Sequence, residues 1–301
     1  MDRPYRSATA RNNVLEDQLK RLRTLSTALV LLVILAGAAL AANAPFLFAQ
    51  LADTQLGFTA GGNDMKVEIE HFRQAIAHIN RLKPAFVIIC GDLTNAAHSP
   101  TQIRAFWNVA RDIDPSIPLH LVPGNHDVTN APSASDIRSY KKLYGDDHYG
   151  FSVNGSRFIV LDSSLLRDGA DTALREEQRK WFESELAAAR AANATHIFVC
   201  THHPWFLNDP KEADRYQNVP LAVRQYYLDL MNEYGVEYNL SGHLHYDLTA
   251  RDRNLTLISC GPISKSVAKP PVVGMRIWKV YPDRVETQFY ALDNVPEQVR
   301  L

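Results

Sequence analysis

Residues 85–92 read AFVIICGD, six apolar side chains followed by a glycine and an aspartate. A run this short, bounded by a glycine turn, reads as a buried strand that delivers an acid at its end. The same design recurs on both sides of it. Upstream, FLFAQLAD (46–53) is a second such strand; after the turn at Gly61-Gly62, apolar residues at Met65, Ile69, Phe72, Ile76 and Ile79 give residues 63–83 helical spacing. Downstream come a helix near 101–111, strand PLHLV (118–122), a helix near 134–144, a hairpin about Asn154-Gly155 within 151–162, and a helix over 172–192. Strand HIFVC (196–200), a helix near 219–234 and strand VEYNL (236–240) follow. Strands alternating with helices predict a layered α/β domain. After residue 240 the pattern turns to strands alone, near 246–250, 255–260, 272–281 and 284–290. No linker tract sets them apart, and they stay in one domain if they complete a second sheet.

The composition is that of a globular chain: 301 residues, 46% hydrophobic and 22% charged, with 32 Lys and Arg against 33 Asp and Glu. It excludes a disordered chain, and 301 residues exclude a short disulfide scaffold. A net charge of −1 supplies no basic field for nucleic acid, so no stable nucleic-acid partner is expected. The three cysteines, Cys90, Cys200 and Cys260, each end an apolar run and read as buried free thiols.

The average charge hides a split, because residues 1–44 carry +3 and the remainder −4. Residues 1–27 form a basic head expected to stay cytoplasmic, and Ala28–Ala42, ALVLLVILAGAALAA, has no polar side chain. Segment 28–44 therefore reads as a signal anchor or a signal peptide, with A-x-A spacing at Ala39-Leu40-Ala41. Its length falls between a signal-peptide core and the roughly 20 residues that span a bilayer. The long head favours an uncleaved anchor unless translation starts later, for example at Val14 or Leu25. In either case the domain formed by 45–301 is exported, as a membrane-anchored, secreted or periplasmic protein.

Five clusters carry the chemistry, each placed directly after a predicted strand: Asp53-Thr54-Gln55, Gly91-Asp92, Gly124-Asn125-His126-Asp127, His202-His203-Pro204 and Gly242-His243-Leu244-His245. Strand ends on one side of a sheet converge, so clusters spread over the chain can build one site. Carboxylates, amides and imidazoles without thiolates suit Mn, Fe or Zn.

This ordered set, D-x-Q, GD, GNHD, HHP and GHLH, resembles the calcineurin-like metallophosphoesterase superfamily over about Phe46 to Tyr290. Within it the chain is most similar to the calcineurin-like phosphoesterase domain-containing proteins, which share ADxQ, here Ala52 to Gln55, and GDD, here Gly145 to Asp147. The resemblance implies a four-layer α/β/β/α sandwich of two mixed sheets flanked by helices. It also implies a binuclear metal centre. Asp92 would bridge both ions; Asp53, Gln55 and His245 would hold the first; Asn125, His202 and His243 would hold the second. His126 would face the leaving group as the acid. The implied activity is hydrolysis of a phosphomonoester or phosphodiester by a metal-bridging hydroxide, with a small phosphate ester as substrate and the membrane met through the N-terminal segment.

These assignments have physical reasons of their own. A carboxylate is the natural bridge between two cations, and two cations can make a water nucleophilic near neutral pH. An imidazole titrating near 6.5 can protonate a departing alkoxide. Two departures from the usual superfamily pattern matter. Gln55 stands where most members have histidine, and an amide oxygen is the weaker donor, which makes Mg or Mn plausible there. Asn95 stands where the phosphoprotein-phosphatase branch has an aspartate, so specificity for phosphoproteins is not implied. Two competing readings are a tethered, non-catalytic binding module with an impaired first metal site, and a phosphoprotein phosphatase. His71, His78, His98, His120, His148 and His196 are expected to be ordinary, His203 is intermediate, and Trp205, Phe206 and Leu207 are core or pocket rim. Lys265 is expected to be solvated.

Overall fold

Strand β1 (Phe46–Leu51) sets the architecture by what its alternate side chains face. Phe46 and Phe48, with Ala52 beyond, point into a core shared by two sheets, whereas Ala49 and Leu51 point the other way, into a core beneath helices. Gln50 is buried on the inner side and fully used: its Nε2 donates to the Ser241 carbonyl at 3.0 Å and its Oε1 accepts from Trp278 Nε1 at 3.0 Å. The structure, a computed structural model, describes residues 44–62 and 64–301. The expected basic head and, apart from Ala44, the apolar segment lie outside the described residues. Among the described residues no helix is long and apolar enough to cross a membrane.

In chain order the described elements are β1, α1 (Lys66–Leu82), β2 (Val87–Ile89), α2 (Pro100–Ala110), β3 (Leu119–Leu121), α3 (Asn125–Val128), α4 (Ala134–Tyr144), β4 (Tyr149–Val153) and β5 (Ser156–Val160), then α5 (Thr172–Ala191), β6 (Ile197–Cys200), α6 (Leu221–Glu233), β7 (Tyr238–Ser241), β8 (Leu248–Asp252), β9 (Leu255–Ser259), β10 (Gly274–Val280) and β11 (Val285–Ala291). One sheet has the order β11-β10-β1-β2-β3 and the other β4-β5-β6-β7-β9-β8. Both are mixed. Strands β1, β2 and β3 run parallel, as do β5, β6, β7 and β9; β10 pairs antiparallel with both β1 and β11 in the first sheet, and β4 and β8 are antiparallel edges of the second.

Helices α1 and α2 cover the first sheet through Phe72, Ile76, Ile79, Phe106 and Val109. Helices α5 and α6 cover the second through Phe182, Leu186, Tyr227, Leu228 and Met231. The inner layer is aromatic. Phe48 stacks on Phe86 at 4.7 Å and on Trp278 at 5.3 Å, and Phe158 stacks on Phe198 at 4.5 Å. Burying each such side chain contributes about 1.5–3 kcal/mol. The expected α/β/β/α sandwich is therefore present. The three cysteines are free and buried.

The late strands depart from the expectation that they complete a second sheet together. Strands β8 and β9 do so, but β10 and β11 return to the first sheet, where β10 pairs antiparallel with β1. Strand β10 carries apolar side chains on both faces: Trp278 and Val280 enter the core between the sheets while Met275 and Ile277 join the core under α1 and α2, with Arg276 and Lys279 among them. Apolar side chains on both faces are stable where both faces are covered, here by the second sheet on one side and helices α1 and α2 on the other.

Candidate metal centre

The five clusters follow β1, β2, β3, β6 and β7, all parallel strands that end on the same side, and their backbones turn sharply there. Asp53, Gln55, Asp92, His243 and His245 have φ of 51°, 34°, 52°, 69° and 57°, which makes them five of the ten non-glycine residues with positive φ among the described residues. This left-handed conformation costs about 1–3 kcal/mol for each side chain and persists where surrounding contacts enforce it. It turns the side chains from the strand direction toward one another. Two glycines make the close approach possible. At Gly91, with φ +80°, a Cβ would lie 2.5 Å from His202 Nδ1, and at Gly124 a Cβ would lie 2.1 Å from the Asp92 amide nitrogen.

Four donor atoms converge, with His202 Nε2 at their centre. Asp92 Oδ2 lies 3.2 Å away, Asn125 Oδ1 3.1 Å and His243 Nδ1 3.1 Å. Asp92, His202 and His243 offer ligand atoms that all lie within 4.8 Å of one another, and all three residues are buried. The nitrogen on the far side of each ring is tied to a main-chain carbonyl: His202 Nδ1 to Cys90 at 2.8 Å and His243 Nε2 to Tyr216 at 3.1 Å. A carbonyl accepts only, so these nitrogens carry hydrogens and leave the inner nitrogens free as donors to a cation.

Asp53, Gln55 and His245 lie alongside. Asp53 is fully buried and accepts the His243 amide at 3.0 and 3.2 Å. His245 Nε2 lies 3.6 Å from Asp53 Oδ1, and its Nδ1 is held by the Lys265 carbonyl at 2.7 Å. Gln55 Oε1 is buried without a hydrogen-bond partner. An unpartnered buried amide oxygen costs about 1–3 kcal/mol, and a cation between it and the Asp53 carboxylate would satisfy it. The carboxylate, amide and imidazole donors present therefore fit a metal centre, with Asp92, His202 and His243 as its tightest group among the described residues.

Charge in the metal-free chain is arranged accordingly. Burial raises Asp53 to about 6. Burial alone would raise Asp92 and lower His202, but each is dominated by the other: Asp92 is held below the usual carboxylate range and His202 is lifted to about 9. His243 falls to about 3 through burial and its charged neighbour His202. A proton on His202 thus stands where a cation would neutralise Asp92.

His126, half-buried, closes one side. Its amide donates to Asp92 Oδ1 at 2.8 Å and its Nδ1 lies 2.8 Å from the Asn95 carbonyl. The centre opens into a cleft of about 460 Å³ whose lining includes Gln55, Asp92, His126, His243 and His245. Phe58, Leu207, Tyr246 and Val267 form apolar walls, and Arg215 and Tyr216 stand at the mouth.

A family model for the calcineurin-like phosphoesterase matches residues 46–247, which span all five clusters. The chain belongs to the calcineurin-like phosphoesterase family. Serine/threonine-protein phosphatase CPPED1 of Rattus norvegicus is 33% identical, covering 84% of this chain and 86% of its own length. A dimetal phosphatase from Danio rerio has a TM-score of 0.64 at 18% identity, covering 82% of this chain and 96% of that one. Purple acid phosphatase PPD1 from yellow lupin has a TM-score of 0.66 at 14% identity, with 84% and 52% covered. At those identities the two structures show a shared fold.

All eight residues singled out in the sequence of this calcineurin-like phosphoesterase meet at one place. His203 does not face the cleft: it is fully buried, with Nδ1 on Ser163 Oγ at 2.9 Å. Trp205 and Phe206 are core, whereas Leu207 is rim. Lys265 is exposed and serves the site through its carbonyl. Three contributors were not legible as such. Asp127 accepts from the amides of Leu93, Thr94 and Gly124 at 2.9–3.2 Å and so ties two of the clusters together. His71 holds the carbonyls of Ile263 and Ser264, beside the carbonyl that orients His245. Tyr216 contacts both Asn125 and His243.

Proposed function

We propose that this phosphoesterase holds two metal ions and hydrolyses a phosphomonoester outside the cytoplasm. Asp53, Gln55 and His245 would hold one ion, Asn125, His202 and His243 the other, and Asp92 both. Mn, Fe or Zn suits this donor set, and the amide of Gln55 would accept a harder ion such as Mg. When bound, the metals polarise the phosphoryl oxygens and lower the pKa of a water for in-line attack.

The chain's own residues do the rest. The carbonyls of Cys90, Tyr216 and Lys265 fix which nitrogen each imidazole presents. With Nδ1 of His126 held by Asn95, its other ring nitrogen is left to give a proton to the departing alkoxide. Phe58, Leu207 and Val267 give the cleft apolar walls, and the exposed Arg215 on its lining attracts anions.

The observation that carries the reading is the convergence of four donors with their outer nitrogens capped. The name of the CPPED1 relative makes phosphoserine and phosphothreonine the first substrates to try. The basic head followed by an apolar run supports export, with the head retained in the cytoplasm. The direct experiment supplies Mn²⁺ to the purified chain and follows phosphate release from p-nitrophenyl phosphate, its bis-ester and a phosphoserine peptide, beside Asp92→Asn. Two bound ions with no hydrolysis of any ester would sink the catalytic reading in favour of a binding module. Fusing residues 1–50 to a reporter active only outside the cytoplasm tests export, and a silent reporter would overturn it.

A further inference from the structure

Tyr216 stands between two donors that arrive from different sheets. Asn125 follows β3 of the first sheet and His243 follows β7 of the second. The Tyr216 hydroxyl oxygen lies 2.9 Å from Asn125 Nδ2, and its main-chain carbonyl lies 3.1 Å from His243 Nε2. The ring lies 4.9 Å from the His243 ring. The segment is itself pinned. Arg167 Nη1 donates to the carbonyls of Tyr216 at 3.1 Å and Asn218 at 3.2 Å, and its guanidinium lies 5.7 Å from the Tyr216 ring.

We propose that Tyr216 is a positioning residue for the second metal site, acting through the side-chain amide of Asn125. The proposal rests on the reading of Asn125 as a metal ligand. An amide can turn either end toward a cation, and only the oxygen end binds one; the NH₂ end repels it. By accepting from Nδ2, the tyrosine hydroxyl holds Asn125 Oδ1 toward His202 Nε2, 3.1 Å away. The carbonyl of the same residue does the corresponding service for His243, whose Nδ1 is left facing the centre. The outer part of the ring is exposed and lines the cleft mouth, so the residue that orients two ligands also meets whatever enters. Outer contacts of this kind shift metal affinity by roughly 10–100-fold when lost.

Tyr216→Phe keeps the ring and the carbonyl and removes the hydroxyl alone, which makes it the informative variant. Mn²⁺ binding to the full chain, stripped of metal and titrated by calorimetry, is compared for wild type, Y216F, N125A and the double variant. Y216F should weaken one of the two Mn²⁺ sites by about tenfold and leave the other unchanged. In the N125A background the same change should have almost no further effect, because the group through which it acts is gone. Equal losses in both backgrounds, or no loss in wild type, overturn the role of Tyr216 while leaving the ligand assignment standing. An N125A chain that binds Mn²⁺ like wild type overturns the assignment of Asn125 and this role together.

Discussion

His126 Nδ1 lies 2.8 Å from the main-chain carbonyl of Asn95, the position at which the phosphoprotein-phosphatase pattern has an aspartate. A backbone oxygen therefore orients this imidazole, and the side chain of Asn95 takes no part in that contact. His126→Gln should lower kcat by about 10²–10⁴-fold with metal content unchanged. The loss should be smaller for p-nitrophenyl phosphate, whose leaving group needs little protonation, than for an alkyl phosphate. Asn95→Ala should keep most of the activity because the carbonyl remains. Steady-state kinetics on both esters, with metal analysis, checks this; equal losses on the two esters would remove His126 from the acid role.

The metal-free chain should lose stability between pH 6.5 and 9. Burial would lower His202, but the Asp92 carboxylate 3.2 Å away lifts it from 6.5 to about 9. In that window the folded chain keeps a proton that the unfolded chain releases, so stability present below pH 6.5 is lost as pH climbs through 9. Burial raises the carboxyls of Asp127 to about 7 and Asp162 to about 8, and both act with the same sign as pH approaches those values. A bound cation displaces the His202 proton, so loading Mn²⁺ near pH 8 should release about one proton from this group and flatten the slope. Thermal melts of chelator-treated and Mn²⁺-loaded protein from pH 6 to 9 provide the comparison. A metal-free midpoint that rises across the window contradicts the prediction.

Much of this was readable in the chain because the ligands stand where apolar runs stop. Asp53, Asp92, His202 and His243 each stand two or three residues past the end of a strand, and a strand end in a parallel sheet has few places to point. The layers were readable for the same reason. What was not readable depends on partners distant in sequence. Tyr216 lies in a loop with no periodicity, and only the fold brings it to Asn125. The carbonyls of Cys90 and Lys265 leave no side-chain signature at all. His202 and His203 look alike in sequence, and they differ because the strand end turns one toward Asp92 and the other toward Ser163. The return of β10 to the first sheet was encoded in its two apolar faces, but a hairpin pattern alone does not say which sheet the hairpin joins.

Gly124 tests the site without replacing a ligand. A Cβ there would sit 2.1 Å from the Asp92 amide nitrogen and 2.3 Å from Asp92 Oδ1. Neither atom can yield without moving the turn that aims Asp92 at His202. Gly124→Ala should weaken Mn²⁺ binding by roughly 100-fold although every ligand remains. Calorimetric titration of the stripped variant measures it, and binding like that of wild type would mean that the turn shifts freely.

In the proposed two-ion centre, the first ion depends on Gln55. Its Oε1 is buried and unpartnered, which is costly unless a cation sits beside it. Gln55→Ala removes that oxygen, and the metal content should fall from two ions to one, the survivor being held by Asp92, Asn125, His202 and His243. Gln55→His should act in the opposite direction. A histidine tolerates the left-handed backbone at φ 34°, and an imidazole nitrogen is the stronger donor to Zn²⁺ or Mn²⁺. The variant should therefore bind the first ion more tightly and shift preference away from Mg²⁺. Metal content measured after dialysis, with competitive Mg²⁺ and Mn²⁺ titrations, distinguishes the cases. A Gln55→Ala chain that retains two ions would leave the orphaned oxygen to a buried water and would confine the first site to Asp53, Asp92 and His245.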